Sequence, residues 1–72
     1  MEKINWTPES GDDFTAIYKN YELRVEQKGP HKWWWAVYKN NKDLCYDNAF
    51  TRNSEYGKKL AEQCVREDET NG

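Results

Sequence analysis

The chain has 72 residues, eleven of them basic and thirteen acidic, and a formal net charge of −2 at pH 7. This length allows one domain and leaves no room for a second. Acidic residues dominate both ends and the middle is mildly basic, which excludes a polybasic arm for nucleic acid. Met1 is followed by no secretory apolar region, and no apolar run approaches about 18 residues. We therefore expect a cytoplasmic protein without a membrane segment.

Aromatic side chains supply most of the apolar volume. The chain contains four tryptophans, five tyrosines and two phenylalanines, and each enclosed ring buries about 150–250 Å². A domain this small buries only about 60% of the surface that its unfolded chain exposes. Because aliphatic residues are few, most of the rings are needed in the core, which argues against reserving them for a ligand.

Residues 1–13 are predicted to form an irregular N-terminal arm. Turn-forming residues interrupt it, and Ile4 and Trp6 are its only apolar anchors. A single domain is expected to occupy residues 14–67. Residues 68–72 are expected to form a frayed acidic tail, since chain ends without apolar anchors are poorly ordered.

Alternating side chains predict three antiparallel strands joined as a meander. Residues 21–26 alternate apolar and charged side chains, as a half-buried strand requires. The predicted strands are residues 21–26, 33–38 and 44–50, with turns at residues 28–32 and 40–43. Residues 14–18 are either a fourth strand or the bent beginning of the first.

One C-terminal helix completes the predicted fold. The residues able to cap its N-terminus are Thr51, Asn53 and Ser54. Its apolar stripe comprises Tyr56, Leu60, Ala61, Cys64 and Val65. Gly57 borders this stripe and would permit close approach of the helix to the sheet. The sequence thus predicts an α+β fold, with a three- to four-stranded antiparallel meander sheet packed on one C-terminal helix.

No set of residues fits catalysis or a cofactor. His31 is the sole histidine, in a predicted turn, and nucleophilic catalysis needs a nucleophile and a base that converge. Structural zinc takes four thiolate or imidazole ligands, whereas His31, Cys45 and Cys64 are three without close spacing. No glycine-rich phosphate loop is present. We therefore expect a protein that is not an enzyme, with no cofactor and no metal.

The sequence allows two orientations for the Cys45 side chain, toward the helix or toward the open face of the sheet. Strand alternation places it on the open side of the sheet, because the alternative turns Asp47 toward the helix. Its small size, like that of Ala49, favours the helix side, where close packing is needed. In either case Cys64 is expected to be a buried free thiol, and two cysteines make no disulfide framework.

Three consecutive tryptophans constrain the sheet most strongly. Successive strand residues point to opposite faces, so Trp33 and Trp35 share one face and Trp34 takes the other. One helix covers one face, and Val37 continues the apolar layer on the side of Trp33. The residues expected on the opposite face are Glu22, Arg24, Glu26, Trp34 and Tyr38. Either the arm with Ile4 and Trp6 covers this patch, or it is exposed.

An exposed patch of this composition favours a partner-binding role. Aromatic residues with a nearby arginine are enriched among binding hot spots, and Trp34, Tyr38 and Arg24 form such a set between Glu22 and Glu26. We expect a small protein-binding or inhibitory module. A self-complementary version of the same patch would give a homodimer.

Nucleic-acid binding is the alternative. The sheet-then-helix order over roughly residues 20–66, with an aromatic central strand, resembles the arm-type DNA-binding domain of phage integrases, which implies a sheet in the major groove. Glu22, Glu26 and Asp47 depart from that pattern, because carboxylates repel phosphates. The lysines that would compensate are Lys28, Lys32, Lys39, Lys42, Lys58 and Lys59. Stacking of bases on Trp34 and Tyr38 would suit a single strand.

The size and style of the chain resemble the small accessory proteins of phages and mobile elements, including anti-defence inhibitors such as anti-CRISPR proteins. This resemblance implies an inhibitory protein that acts on a protein partner in the cytoplasm of a cell or of an infected host.

Overall fold

The computed structural model describes residues 3–71, which form one antiparallel sheet with a helix across one face. The strands, in spatial and chain order, are β1 (Thr7–Pro8), β2 (Phe14–Tyr18), β3 (Tyr21–Gly29), β4 (Lys32–Lys39) and β5 (Lys42–Tyr46). The helix α1 spans Ser54–Asn71. The predicted α+β class, antiparallel sheet and C-terminal helix are confirmed, but the sheet has five strands instead of three to four. Residues 1, 2 and 72 of the predicted arm and tail lie outside the described residues.

The turns that follow β3 and β4 are short, and each contains at least one residue with positive φ. Asn40 and Asn41 both have positive φ (53° and 65°) between β4 and β5, which matches the two-residue turn that fits the twist of a hairpin. His31 also has a positive φ, of 56°, in the turn between β3 and β4. The sole histidine of the chain is thus an exposed turn residue.

The end of β5 differs from the prediction. The strand was expected to reach residue 50 but ends at Tyr46. There the Asp47 carboxylate accepts a hydrogen bond from the backbone N–H of Ala49 at 2.8 Å, a local turn that competes with strand pairing. The chain then returns to β4, where the backbones of Thr51 and Trp33 exchange two hydrogen bonds at 2.9 Å.

The hydrophobic core lies between the sheet and α1. Its largest fully buried side chains are Leu23, Val25, Val37 and Val65. Gly57 faces Val25, and a Cβ added at Gly57 would lie 3.2 Å from Val25 Cγ1. Gly57 therefore belongs to the buried stripe of α1, as close helix–sheet contact requires. Tyr56, which was expected in this stripe, is 52% exposed.

The capping residue of α1 is Asn53. Its side-chain oxygen accepts a hydrogen bond from the backbone N–H of Tyr56 at 2.8 Å, and its carbonyl accepts one from Gly57 at 3.3 Å. Of the three candidates predicted from the sequence, Asn53 thus makes the N-cap interaction.

The N-terminal arm packs on the helix side of the sheet. Ile4 is 5% exposed and belongs to the core. The Trp6 indole Nε1 donates a hydrogen bond of 2.7 Å to Glu62 on α1. The arm also contributes the two-residue strand β1, which pairs with β2. The prediction of an irregular arm therefore missed one edge strand.

A disulfide joins Cys45 on β5 to Cys64 on α1. Cys45 therefore faces the helix, and the prediction that Cys64 is a free thiol is wrong. Strand alternation favoured the other orientation because it placed Asp47 in the same strand, whereas β5 ends at Tyr46 and Asp47 lies in the turn that follows. The register between β4 and β5 shifts between Val37 and Tyr38, which leaves Leu44 without a partner. This extra residue is a β-bulge, and it reverses the alternation of side chains along β5.

The predicted frayed tail is helical as far as Asn71. Asp68 accounts for this, since its carboxylate accepts hydrogen bonds from Lys39 Nζ at 2.7 Å and from the Tyr21 hydroxyl at 2.6 Å. A second ion pair joins Glu69 to Lys19 at 2.9 Å. These contacts hold the last turns of α1 against β3, β4 and the turn between β2 and β3. Within residues 3–71, no helix is both long enough and apolar enough to cross a membrane.

Asp68→Asn is expected to destabilise the protein at pH 7 but not in acid. The hydrogen bonds from Lys39, and then from Tyr21, lower the pKa of Asp68 in the folded protein. This stabilisation is present above the pKa of about 4 that aspartate has in the unfolded chain, and it is lost as the pH falls through the lowered folded-state value. Urea unfolding from pH 7 to pH 2 measures the gap between wild type and variant.

Glu67→Gln is the matched control for Asp68→Asn, because Glu67 is exposed on the same helix and, among the described residues, its side chain bonds only to Gln63. We expect little change in stability from this control. A gap between wild type and Asp68→Asn that stays constant down to pH 2 would contradict the assignment.

Candidate functional site

The sheet face opposite α1, here called the far face, brings together the five residues predicted to bind a partner. On β4 it carries Trp34 and Tyr38, which pair with Glu26 and Glu22 of β3. Arg24 lies between these two glutamates, opposite Ala36 of β4. Two strands that alternate regularly place these side chains on one face, so the cluster assembles as the sequence predicted.

The N-terminal arm does not cover the far face. Trp6 bonds to α1 and packs against the core on the other side of the sheet, so of the two alternatives left open by the sequence, coverage by Trp6 does not occur. Two apolar side chains of the far face are strongly exposed, Ile17 at 72% and Tyr46 at 64%. This face of a small domain is therefore open to solvent.

The Trp34 ring is held in place by its neighbours. Its indole Nε1 donates a hydrogen bond of 3.1 Å to the carbonyl of Asp47, in the turn after β5. Lys28 Nζ lies 5.8 Å from the centre of the ring, within the range of a cation–π contact. Trp34 is thus half-buried with a fixed orientation, and little side-chain entropy is lost when a partner contacts it.

The charged residues of the far face pair with one another. Arg24 Nε donates to Glu22 at 2.7 Å, and its Nη1 lies 3.7 Å from Glu26. Lys28 Nζ lies 2.8 Å from the same Glu26. The hydrogen bond from Arg24 to Glu22 raises the pKa of Arg24, and the hydrogen bond from Lys28 to Glu26 raises the pKa of Lys28. Such solvent-exposed pairs contribute little to the free energy of unfolding, but they fix the side chains along β3.

A cleft opens beside Trp34 toward β5. Its volume is about 280 Å³, and the residues that line it are Trp34, Ala36, Tyr38, Asp43, Cys45 and Tyr46. Tyr46 pairs with Ala36 and Asp43 pairs with Tyr38 across the β4–β5 ladder. This cavity between Trp34, Tyr38 and Tyr46 is called the aromatic cleft.

The sequence did not indicate that Asp43 and Tyr46 share this cleft. They are three positions apart, so a regular strand would place them on opposite faces. The bulge at Leu44 brings both to the far face. No local sequence signal marks that bulge, since it depends on the pairing of β5 with β4.

A larger groove, of about 720 Å³, lies between the arm and α1. Lys58 lines this groove. Its Nζ lies 3.7 Å from the centre of the Phe14 ring and 3.5 Å from Oε1 of Glu55. Glu62 bonds to Trp6 in the same groove. These polar groups bond to one another and hold the arm against the helix.

Within residues 3–71, no three histidine, cysteine or acidic side chains are grouped so that they could hold a metal ion. Comparison of the chain with protein-family models, with curated proteins and with solved structures finds no match.

Proposed function

We propose that this protein is a small, non-enzymatic protein-binding or inhibitory module that acts through its far face. The observation that carries the proposal is an oriented tryptophan, Trp34, on a sheet face that the arm leaves open. Tryptophan, tyrosine and arginine are the residues most enriched among binding hot spots. Trp34, Tyr38 and Arg24 supply one of each on adjacent strands.

The charge arrangement of the far face favours a protein over a nucleic acid. Affinity for nucleic acid comes largely from cations that neutralise phosphates. Here Arg24 and Lys28 both bond to carboxylates of the same strand, and a phosphate would meet Glu22 and Glu26 beside them.

The lysines that a nucleic acid would need are also engaged in part. Lys39 bonds to Asp68, Lys58 lies against Phe14, and Lys32 Nζ lies 5.6 Å from the centre of the Phe50 ring. Nucleic-acid binding through the far face and these lysines is therefore the less favoured alternative.

The resemblance to phage and mobile-element accessory proteins extends this proposal to an anti-defence role, in the cytoplasm of a cell or of an infected host. Cytoplasmic thiols are generally kept reduced. Binding should therefore be measured on both the oxidised and the reduced protein.

Affinity capture from cell lysate, with quantitative mass spectrometry, tests the protein-binding function. We expect Trp34→Ala to weaken the captured complex about 30-fold or more, as truncation of a hot-spot residue does. The matched control is Tyr56→Ala, which removes an exposed aromatic ring from α1 and should leave capture unchanged. Circular dichroism checks that both variants fold. Equal capture by a folded Trp34→Ala variant would contradict the proposal.

Two further measurements separate the alternatives. Titration into labelled duplex and single-stranded oligonucleotides at low and moderate salt tests the nucleic-acid function, and tight binding with a steep salt slope would replace the protein partner with a nucleic acid. Sedimentation equilibrium tests the homodimer, which Trp34→Ala should dissociate if the far face is self-complementary.

A further inference from the structure

We infer that the aromatic cleft binds an organic cation, the guanidinium or ammonium group of a basic side chain on the protein partner. This inference rests on the proposed function, because it names the group that the partner inserts. The aromatic cleft combines three aromatic side chains with one carboxylate, that of Asp43. Aromatic faces attract cations through the negative charge of their π systems.

The size of the aromatic cleft suits one side chain. Its volume of about 280 Å³ is slightly below the range of about 300–1,000 Å³ that holds a drug-sized ligand. Ala36 is 1% exposed between Trp34 and Tyr38 on the same strand, so neighbouring side chains cover its methyl group, and it lines the base of the aromatic cleft. A group that enters there meets rings from both β4 and β5.

Charge complementarity favours a cation in this space. Asp43 is exposed and forms no ion pair within the described residues 3–71. Glu22 lies on β3, outside the lining of the aromatic cleft, and bonds to Arg24, so Asp43 supplies the charge there. Asp43 would repel an anion and attract a cation, whereas an uncharged group gains nothing from it.

The protein already places a lysine near one wall of the aromatic cleft. Lys28 Nζ lies 5.8 Å from the centre of the Trp34 ring. Lys28 extends from β3, whereas the aromatic cleft lies toward β5, on the other side of β4. Trp34 thus accepts a cation within the molecule and still lines an open cavity.

Small probes with one side chain each test the inference. The probes are the Nα-acetyl amides of arginine, lysine, trimethyllysine and norleucine, the last as an uncharged control. Binding is followed by NMR through the backbone amides of β4 and β5. We expect at least one cationic probe to bind about tenfold more tightly than the norleucine probe. The preferred probe then identifies the group as guanidinium, ammonium or alkylated ammonium.

Two carboxylate variants test the charge. Asp43→Asn should weaken the preferred cationic probe by about threefold to tenfold, whereas Glu67→Gln, a neutralisation of equal size on α1, should not. Tyr46→Ala should abolish the preference for cations. Norleucine binding as tight as that of every cation, or cation binding unaffected by Asp43→Asn, would overturn the inference.

Protein capture and binding of the cationic probes together distinguish an error in the cation site from an error in the proposed function. Capture of a protein that requires Trp34 but not Asp43, without binding of any cationic probe, would leave the proposed function in place and overturn the cation assignment. Cation binding that Asp43→Asn weakens, without capture of any protein, would support the cation site and contradict the protein partner.

Discussion

Reduction of the Cys45–Cys64 disulfide is expected to lower the free energy of unfolding by about 3 kcal/mol. The bond joins residues that are 19 positions apart, and the estimate follows from the entropy that a loop of this length loses in the unfolded chain. A domain of this size buries little apolar surface on folding, so a loss of about 3 kcal/mol is large relative to its total stability. Denaturation by guanidinium, with and without a phosphine reductant, measures the difference.

The double variant Cys45→Ser, Cys64→Ser is the control, because its unfolding midpoint should not respond to reductant. Reduction of the wild type keeps both side chains and so isolates the effect of the crosslink from that of altered packing. Equal midpoints for the oxidised and reduced wild type would show that the crosslink adds no stability.

The disulfide also constrains the strand that supplies part of the far face. It ties β5, an edge strand, to α1, and β5 supplies Asp43 and Tyr46 to the aromatic cleft. Loss of the bond removes a constraint on this strand, since edge strands have neighbours on one side only. Cation binding measured on the reduced protein therefore reports whether β5 keeps its place without the crosslink.

Leu23→Ala is expected to lower the free energy of unfolding by about 3 kcal/mol, within the range of about 2–5 kcal/mol for buried leucine. Leu23 is 0% exposed and pairs with Val37 beneath α1. Its removal loses apolar burial and leaves a cavity in a core with few aliphatic side chains. Because native domains have only about 0.05–0.15 kcal/mol of stability per residue, this loss is a large part of the total. Urea denaturation followed by tryptophan fluorescence measures it.

Ile17→Ala is the matched control for Leu23→Ala. Ile17 lies on the neighbouring strand β2 but on the far face, where it is 72% exposed. We expect its effect to lie within about 0.5 kcal/mol of zero, as for other surface substitutions. Similar losses at both positions would contradict the assignment of core and open faces.

The sequence alone determined which side chains of β3 and β4 share a face. Residues 21–26 alternate between buried and half-buried side chains, as their sequence pattern predicts. The three consecutive tryptophans of the next strand therefore cannot all lie on one face of the sheet. This information is local, because a strand turns successive side chains to opposite sides whatever its partners are. For that reason the five residues predicted to bind a partner lie on one face, and their binding role stays a prediction.

Only the tertiary structure decided the features that depend on distant partners. The bulge at Leu44 follows from the pairing of β5 with β4, and it carries Cys45 to the helix and Asp43 to the aromatic cleft. The N-terminal arm lies on the helix side of the sheet, where Trp6 bonds to Glu62, 56 positions away in the chain. The last turns of α1 persist because Asp68 meets Lys39. Each outcome depends on a contact between segments far apart in the chain, which local propensity does not encode.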